Sequence, residues 1–317
     1  MLNFYRLPQD FLKFSGSERL DLINRLSTNG VNTLEKFHSV KTVLTSDKGR
    51  FIDLLQLYSL GEMVFCTCSF QNSANVISHL EKYTIMDDFT AEDLSGTHET
   101  ILFFGDDASA FINKITGVDI AALTENSFTV TSDHDAIIQL NDDAFGGVKF
   151  IFAVSNKEYW SEMLFADENL SEFGLKELSA SEFETKRIEL GIPKFGAEMS
   201  ELTNPLECGM NKYVSFTKGC YIGQEVIARL DAYDKISKHL VGLKIKSPNK
   251  IDLSSAGKIT VDSKECGFVT SAAYSDVFGS IALGFVKTIF LDYDKNYIIK
   301  NNESGLECTI TRLPFTR

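Results

Sequence analysis

No run of apolar residues in this chain approaches the roughly 20 that a membrane-crossing helix needs, so a helical span is not expected. Positive charge is also short: 31 Lys and Arg face 44 Asp and Glu, a formal net charge of −13. A surface of that sign repels phosphate backbones, which argues against nucleic acid as a partner. The six cysteines (Cys66, Cys68, Cys208, Cys220, Cys266 and Cys308) contain no C-x-x-C pair, and the five histidines are scattered. Neither a disulfide framework nor a zinc site is expected from such a pattern. The opening residues, MLNFYRLPQDF, lack both a basic and apolar leader and an Arg/Ser-rich transit character. The cytoplasm is therefore the expected compartment. What the chain does have is a globular composition, 44% hydrophobic and 24% charged over 317 residues, enough for two or three domains.

Residues 16–27, GSERLDLINRLS, match residues 105–116, GDDASAFINKIT, in spacing throughout. Gly, Ile and Asn recur, and six other positions are conservative. Each copy follows a short apolar stretch, FLKF or ILFF, and each offers an N-cap candidate, Ser17 or Asp106. Leu22, Ile23 and Leu26 share one helical face, as do Phe111, Ile112 and Ile115. Strand-like runs follow at about 41–46, 51–60 and 63–69 and then a helix at 73–82. The second copy is followed by runs at about 127–131, 135–140 and 148–154 and a helix at 156–165. Both halves read as strand, helix, three-strand meander, helix. A duplicated α+β unit accounts for this better than coincidence between two amphipathic helices, and a ligand pocket is expected at the seam of the halves. The hairpin tip SDKGR carries Lys48 and Arg50. They either meet an anionic ligand or stay solvated, and ordinary surface composition favours the latter.

The texture changes near Ser179. SASEFETKRIELGIP reads as a helix with Ser181 and Glu184 as a capping box, Gly191 just past its end and Pro193 as a stop. A long irregular stretch follows at 194–219, a length that in compact domains usually serves function. From Lys238 onward the chain is strand-like, with turn signals at SPNK, SSAG, DSKECG, DVFG and NNESG, a small β-barrel or sandwich.

Residues 216–230, FTKGCYIGQEVIARL, place Cys220 ahead of a helix that begins near Gly223 and buries Val226, Ile227 and Leu230. A helix N-terminus and the nearby Lys218 both favour a thiolate. Gly219 and Gly223 would let the backbone approach a ligand. A cysteine filling space under a glycine-rich turn is an equal reading of the spacing alone. Glu189, a carboxylate in the last turn of its helix, opposes the helix dipole. It can accept paired N–H groups of a pterin or guanine ring, or it can be neutralised by Arg187 or water. Local chemistry favours the solvated alternative. Cys66 and Cys68 fall on one face of a predicted strand, as core residues.

KGCYIGQE (218–225) resembles the K-G-C-[FY]-x-G-Q-E signature of the YgfZ-type folate-binding proteins, relatives of the glycine-cleavage aminomethyltransferase or T-protein. The resemblance extends through TNPLECG, RIELGIPKFGAE, LINRLSTNGV, LTSDKGRFIDLL, GFVTSAAYSDVFGSIALGFV and the closing LPF, which together span nearly the whole chain. It implies an α+β aminomethyltransferase folate-binding fold over 1–237, with repeats at about 1–90 and 91–175 and a motif-bearing segment at 176–237. It also implies a β-barrel domain at 238–317. Tetrahydrofolate, or another reduced folate, is the implied ligand. Glu189 would pair with the pterin, and Arg50, Asp53, Gly219, Tyr221 and Gly223 would lie beside it. Cys220 and Lys218 would be the catalytic pair, with no metal bound. Iron–sulfur client or assembly proteins are the implied partners. True aminomethyltransferases end the hairpin with two aspartates, whereas here Asp53 is followed by Leu54, which argues against aminomethyl transfer. The expected role is therefore assembly, maintenance or repair of iron–sulfur clusters. A folate-dependent one-carbon transferase and a scaffold without folate are the alternatives.

Overall fold

The computed structural model describes residues 2–124, 126–132, 134–232, 235–247, 257–301 and 304–316. The chain divides into two compact units. The first comprises Met1–Thr45, Ile52–Ser179 and Tyr213–Ile222. The second comprises Ser46–Phe51, Ala180–Lys212 and Gly223–Arg317.

The first unit holds the duplication. Strands β1 (Asn3–Leu7) and β2 (Gln9–Ser15) lead into helix α1 (Arg19–Leu26), and a meander follows of β3 (Ser39–Thr45), β4 (Phe51–Ser59) and β5 (Val64–Ser69). Helix α2 (Ser73–Tyr83) closes the first repeat. The second repeat runs β6 (Thr90–Asp93), β7 (His98–Phe104), α3 (Ala108–Thr116), β8 (Phe128–Val130), β9 (Ile137–Leu140), β10 (Val148–Ala153) and α4 (Lys157–Leu164). Helix α5 (Asp167–Phe173) and the short strand β11 (Lys176–Glu177) complete it. The runs read from the sequence as strand, helix, meander and helix are all present, in that order. The two sheets are ordered β3-β4-β5-β2-β6 and β11-β1-β7-β10-β9-β8. Within each repeat the strand just before the first helix pairs with the last strand of the meander: β2 with β5, Phe11 opposite Thr67, and β7 with β10, Ile101 opposite Phe150.

The sequence reading missed β1 and β6, and these two strands are exchanged. Strand β1 precedes β2 in the chain but pairs with β7, Asn3 opposite Phe104. Strand β6 precedes β7 but pairs with β2, Leu12 opposite Asp93. Leu2 and Phe4 are accordingly buried in the core of the second repeat, beside Phe103, Phe111 and Phe150. The core of the first repeat gathers Leu22, Ile23 and Leu26 of α1 with Val76 and Leu80 of α2 over Leu55, Leu57, Cys66 and Cys68. Cys66 and Cys68 thus do pack as core residues. A third cluster lies between the sheets, where Phe11, Tyr58 and Phe65 meet Phe128, Ile137 and Ile151.

Helix ends depart from expectation. Helix α1 begins after Glu18, without a side-chain cap, and α3 begins after Asp107, one residue beyond the expected Asp106. Ser17 is instead drawn to a distant acid: its backbone N–H and its hydroxyl both donate to Asp88 Oδ2 at 2.8 Å.

In the second unit, helix α6 (Ala180–Leu190) already includes Ser181 in its first turn. Ser181 therefore does not precede the helix as a cap would, and Glu184 pairs with Arg187. The helix end is as read. Gly191 takes φ +70°, its N–H donates to Ile188 O at 3.0 Å, and Ile192 N–H donates to Arg187 O at 3.1 Å, a Schellman closure. Helix α7 (Gln224–Ala232) precedes six strands: β12 (Lys238–Ile245), β13 (Lys258–Val261), β14 (Lys264–Ser275), β15 (Gly279–Lys287), β16 (Asn296–Asn301) and β17 (Ser304–Thr311). They form a closed barrel in the order β12-β15-β14-β13-β16-β17, sealed by the pairing of β12 with β17. The β13–β14 turn uses Asp262 and Ser263 at φ 50° and 64°, as DSKECG suggested, and DVFG supplies Gly279 at φ 74°. The signals SPNK, SSAG and NNESG fall wholly or partly outside the described residues. Ile188 of α6 packs on the outside of the barrel against Ile281, Leu283 and Phe315.

Candidate functional site

The thiol-bearing segment is tied down on both sides of the cysteine. Ser215 N–H donates to Thr28 O at 2.9 Å, and Ile222 N–H donates to Arg25 O at 2.9 Å. Thr45 Oγ1 donates to Ile222 O, also at 2.9 Å. Lys218 reaches back to the end of α1, where helical carbonyls lack internal partners and the dipole is negative. Its Nζ donates to Asn24 O (2.7 Å), Ser27 O (2.9 Å) and Asn29 O (2.6 Å). Burial pushes this ammonium down from 10.5 to about 8, and it also lies 5.2 Å from the Tyr221 ring centroid. Three carbonyls take the three protons of an ammonium, so Lys218 has no N–H left to give Cys220. These bonds fix the Lys218 charge at the end of α1, two residues before Cys220 in the chain. Tyr221 is buried, which raises its phenol to about 12.

Between these anchors Cys220 is exposed, whereas Cys66, Cys68, Cys208, Cys266 and Cys308 are buried, and all six are free thiols. Burial raises Cys308 to about 12 and pushes Cys68 and Cys208 higher still. At Gly219 a Cβ would meet nothing within 4 Å, so the backbone beside the thiol is open. Gly223 is different. It takes φ +79°, and a Cβ there would stand 2.5 Å from Ser46 O and 2.8 Å from Gly49 Cα. The near neighbour of Gly223 is the hairpin tip of its own compact unit. That tip is closed by Ser46 N–H to Arg50 O at 2.9 Å, and Gly49 takes φ +65°. Lys48 at the tip is exposed. Arg50 donates to Glu207 Oε2 at 3.2 Å and to Leu202 O at 3.2 Å.

The buried carboxylates can be sorted by acceptor capacity, since an ionised carboxylate offers about four lone-pair positions. Asp53, fully buried, receives four donors: Leu54 N–H (2.7 Å) and Ser69 Oγ (2.6 Å) on Oδ1, Ser69 N–H (3.0 Å) and Asn72 Nδ2 (2.9 Å) on Oδ2. Burial raises its pKa against the pull of those bonds. Glu198, also fully buried, receives Thr270 Oγ1 (2.6 Å), Ser271 Oγ (2.7 Å), Arg187 Nη1 (3.1 Å) and Lys194 N–H (2.9 Å). Arg187 therefore neutralises Glu198 and Glu184 rather than Glu189. Glu207 is held by Arg50, Asn204 N–H and Ser237 Oγ. Glu189 retains capacity: Oε1 accepts from Ser275 Oγ at 2.6 Å, Oε2 has only a 3.5 Å contact with Lys186, and its side chain is 13% exposed. Glu189 thus keeps acceptor positions of the kind a ring amidine would use, whereas those of Asp53 are taken by its own donors. Glu198 and Glu207 escaped the sequence reading, because no periodicity marks a buried acid inside an irregular stretch.

Among the described residues no group of three or more His, Cys, Asp or Glu could hold a metal ion, and no helix is long and apolar enough to cross a membrane.

The fold has a solved counterpart. The glycine cleavage system aminomethyltransferase T of Bartonella henselae superposes on 99% of this chain and 86% of its own, with a TM-score of 0.85 at 16% identity. The fold is that of an aminomethyltransferase. Within it, residues 238–316 match the family described as the glycine cleavage T-protein C-terminal barrel domain, and these residues carry the closed barrel. Over the whole length, this aminomethyltransferase-like chain is 23% identical to an aminomethyltransferase of Halothermothrix orenii, covering 95% of this chain and 84% of that protein. It is 26% identical to a chloroplastic protein of Arabidopsis thaliana named as a candidate transferase, covering 96% and 68% respectively.

Proposed function

We propose that this aminomethyltransferase-like protein binds a reduced folate and serves the assembly, maintenance or repair of iron–sulfur clusters in client enzymes, in the cytoplasm. The observation that carries the reading is the single exposed thiol, Cys220, held between the anchors at Lys218 and Ile222. The resemblance of KGCYIGQE to the YgfZ-type signature supports it. So does the state of the hairpin carboxylate. Asp53 is sealed by four donors, and Leu54 stands where aminomethyltransferases place a second aspartate. A charged group poised near a reacting amine is what aminomethyl transfer needs.

Glu189 would hold the pterin through its unused acceptor positions, and Gly219 would leave the backbone beside Cys220 open to a ligand or client. Tetrahydrofolate, when bound, supplies a one-carbon acceptor. Anaerobic calorimetric titration with tetrahydrofolate should show saturable binding that is lost in Glu189→Ala. In cells, Cys220→Ser should lower iron–sulfur enzyme activities while leaving protein abundance unchanged. Equal support by Cys220→Ser and wild type would remove the thiol from the function.

The names of the relatives favour a second reading, one-carbon transfer to folate from a methylamine-type donor. It predicts methylenetetrahydrofolate formation that survives Cys220→Ser. A scaffold without folate predicts neither binding nor an effect of Glu189→Ala.

A further inference from the structure

We propose that the outer wall of the barrel carries a second binding site, a cleft for a small aromatic carboxylate. The cleft has a volume of about 630 Å³ and lies wholly within the second compact unit. That volume suits a small molecule, for which pockets of about 300–1,000 Å³ are usual. Its floor is made by the rings of Phe268 and Phe285, 5.4 Å apart between centroids. Gly267 lets β14 approach β15 closely beside these rings, since a Cβ there would stand 2.0 Å from Phe285 O. Ile236 and Ile289 form the walls, and Thr288 N–H donates to Ser237 O at 3.0 Å, which joins the two loops that carry them. Phe268 is 36% and Ile289 83% exposed, so these two face water while Phe285 lies buried behind Phe268.

The rim is cationic. Lys235, Lys238 and Lys287 border the cleft, with Glu265 as the acid among them. Lys258 holds Glu265 at 2.9 Å. Lys238 and Lys287 are direct cross-strand partners in the β12–β15 pair, so their side chains leave the same face side by side. Like charges placed opposite one another destabilise a strand pair, and an anion bridging them would remove that repulsion. Lys238 Nζ donates to Leu202 O at 2.8 Å and lies 3.6 Å from Glu207, so part of its charge is matched. It also sits 5.5 Å from the Phe285 centroid and 5.8 Å from that of Phe268, directly above the floor. A flat ring stacked on Phe268, with its carboxylate between Lys238 and Lys287, answers both the apolar and the charged features. In a chain of net charge −13, Lys238 and Lys287 side by side favour such an anion.

The test compares 2-naphthoate with its neutral isostere 2-naphthamide, titrated calorimetrically into the full-length protein. Naphthoate is expected to bind saturably and the amide roughly fivefold more weakly or worse, with the difference shrinking as salt is added. Lys287→Ala should weaken naphthoate about two- to fivefold, and Phe268→Ala about threefold or more. Glu265→Gln, which removes an acid of the rim, should tighten it. Both Lys287 and Phe268 are exposed enough for the variants to fold, and an unchanged melting temperature confirms this for each. Equal binding of acid and amide, no binding below about 5 mM, or indifference to Lys287→Ala and Glu265→Gln would each overturn the assignment.

Discussion

Asp53 accepts hydrogen bonds in every direction a carboxylate offers, and its donors are the backbone and side chains that join β4, β5 and the start of α2. That makes it a keystone of the first repeat. Asp53→Asn is expected to lower folding stability by about 2–4 kcal/mol, because an amide cannot accept four donors and the remainder stay buried without partners. Tetrahydrofolate affinity, measured on the folded fraction, should not change. A variant of normal stability and lost affinity would return Asp53 to the ligand site. Nothing in FIDLL could have told these roles apart, since the donors Ser69 and Asn72 lie 16 and 19 residues downstream. Lys149 also carries a burial cost. Enclosed on β10 beside Lys41, with Asp142 and Asp143 nearby, it is pushed down from 10.5 to about 7. Between those values the unfolded chain holds a proton that the folded chain has released. Stability therefore rises with pH across that window, by at most about 1.4 kcal/mol per pH unit. Urea unfolding at pH 7 and pH 9 should show wild type gaining about 1–2 kcal/mol relative to Lys149→Met. Parallel behaviour of the two proteins would mean that Lys149 titrates normally.

Among the elements, α2 is capped from another strand. Asp10 Oδ2 accepts from Asn72 N–H at 3.0 Å and Ser73 N–H at 3.1 Å, so a β2 carboxylate serves the free donors of the helix. Asp10→Ala should cost about 1–2 kcal/mol, read from the denaturation midpoint, and Asp10→Asn less. A surface-like loss of a few tenths would show that the cap is dispensable. The helices themselves were legible, because apolar spacing records which face is buried, as at Leu22, Ile23 and Leu26. Their starts were not. Ser17 looked like a cap but is claimed by Asp88, and Ser181 looked like a cap but lies inside its helix. Capping motifs are read from neighbours in sequence, while here the decisive partner stands some 70 residues away. Glycines were easier to place than to interpret: Gly191 closes α6 as its position implied, whereas Gly223 is demanded by a hairpin that no local pattern connects to it.

At the scale of the molecule, the duplication and the terminal barrel could both be read, one from a matching spacing and the other from repeated turn signals. The exchange of β1 and β6 could not, for these strands are short and their partners lie in the opposite repeat. Deleting residues 2–7 should strip Leu2 and Phe4 from the core of the second repeat, a loss of about 3–6 kcal/mol in apolar burial. It should also leave β7 with an open edge where β1 stood and β11 without its partner. Limited proteolysis should then cut first within 98–175, and an unaltered digestion pattern would contradict the assigned pairing. The same exchange bears on how such a chain could come from two copies of one ancestor. Each repeat gives its leading strand away and receives the other's in return, so either repeat made alone would have an open sheet edge and an unpaired arm that fits that edge in a second copy. Reciprocal trading of arms is how swapped homodimers hold together. The covalent link between the repeats makes that meeting independent of protein concentration, and it frees the two edges to diverge in sequence.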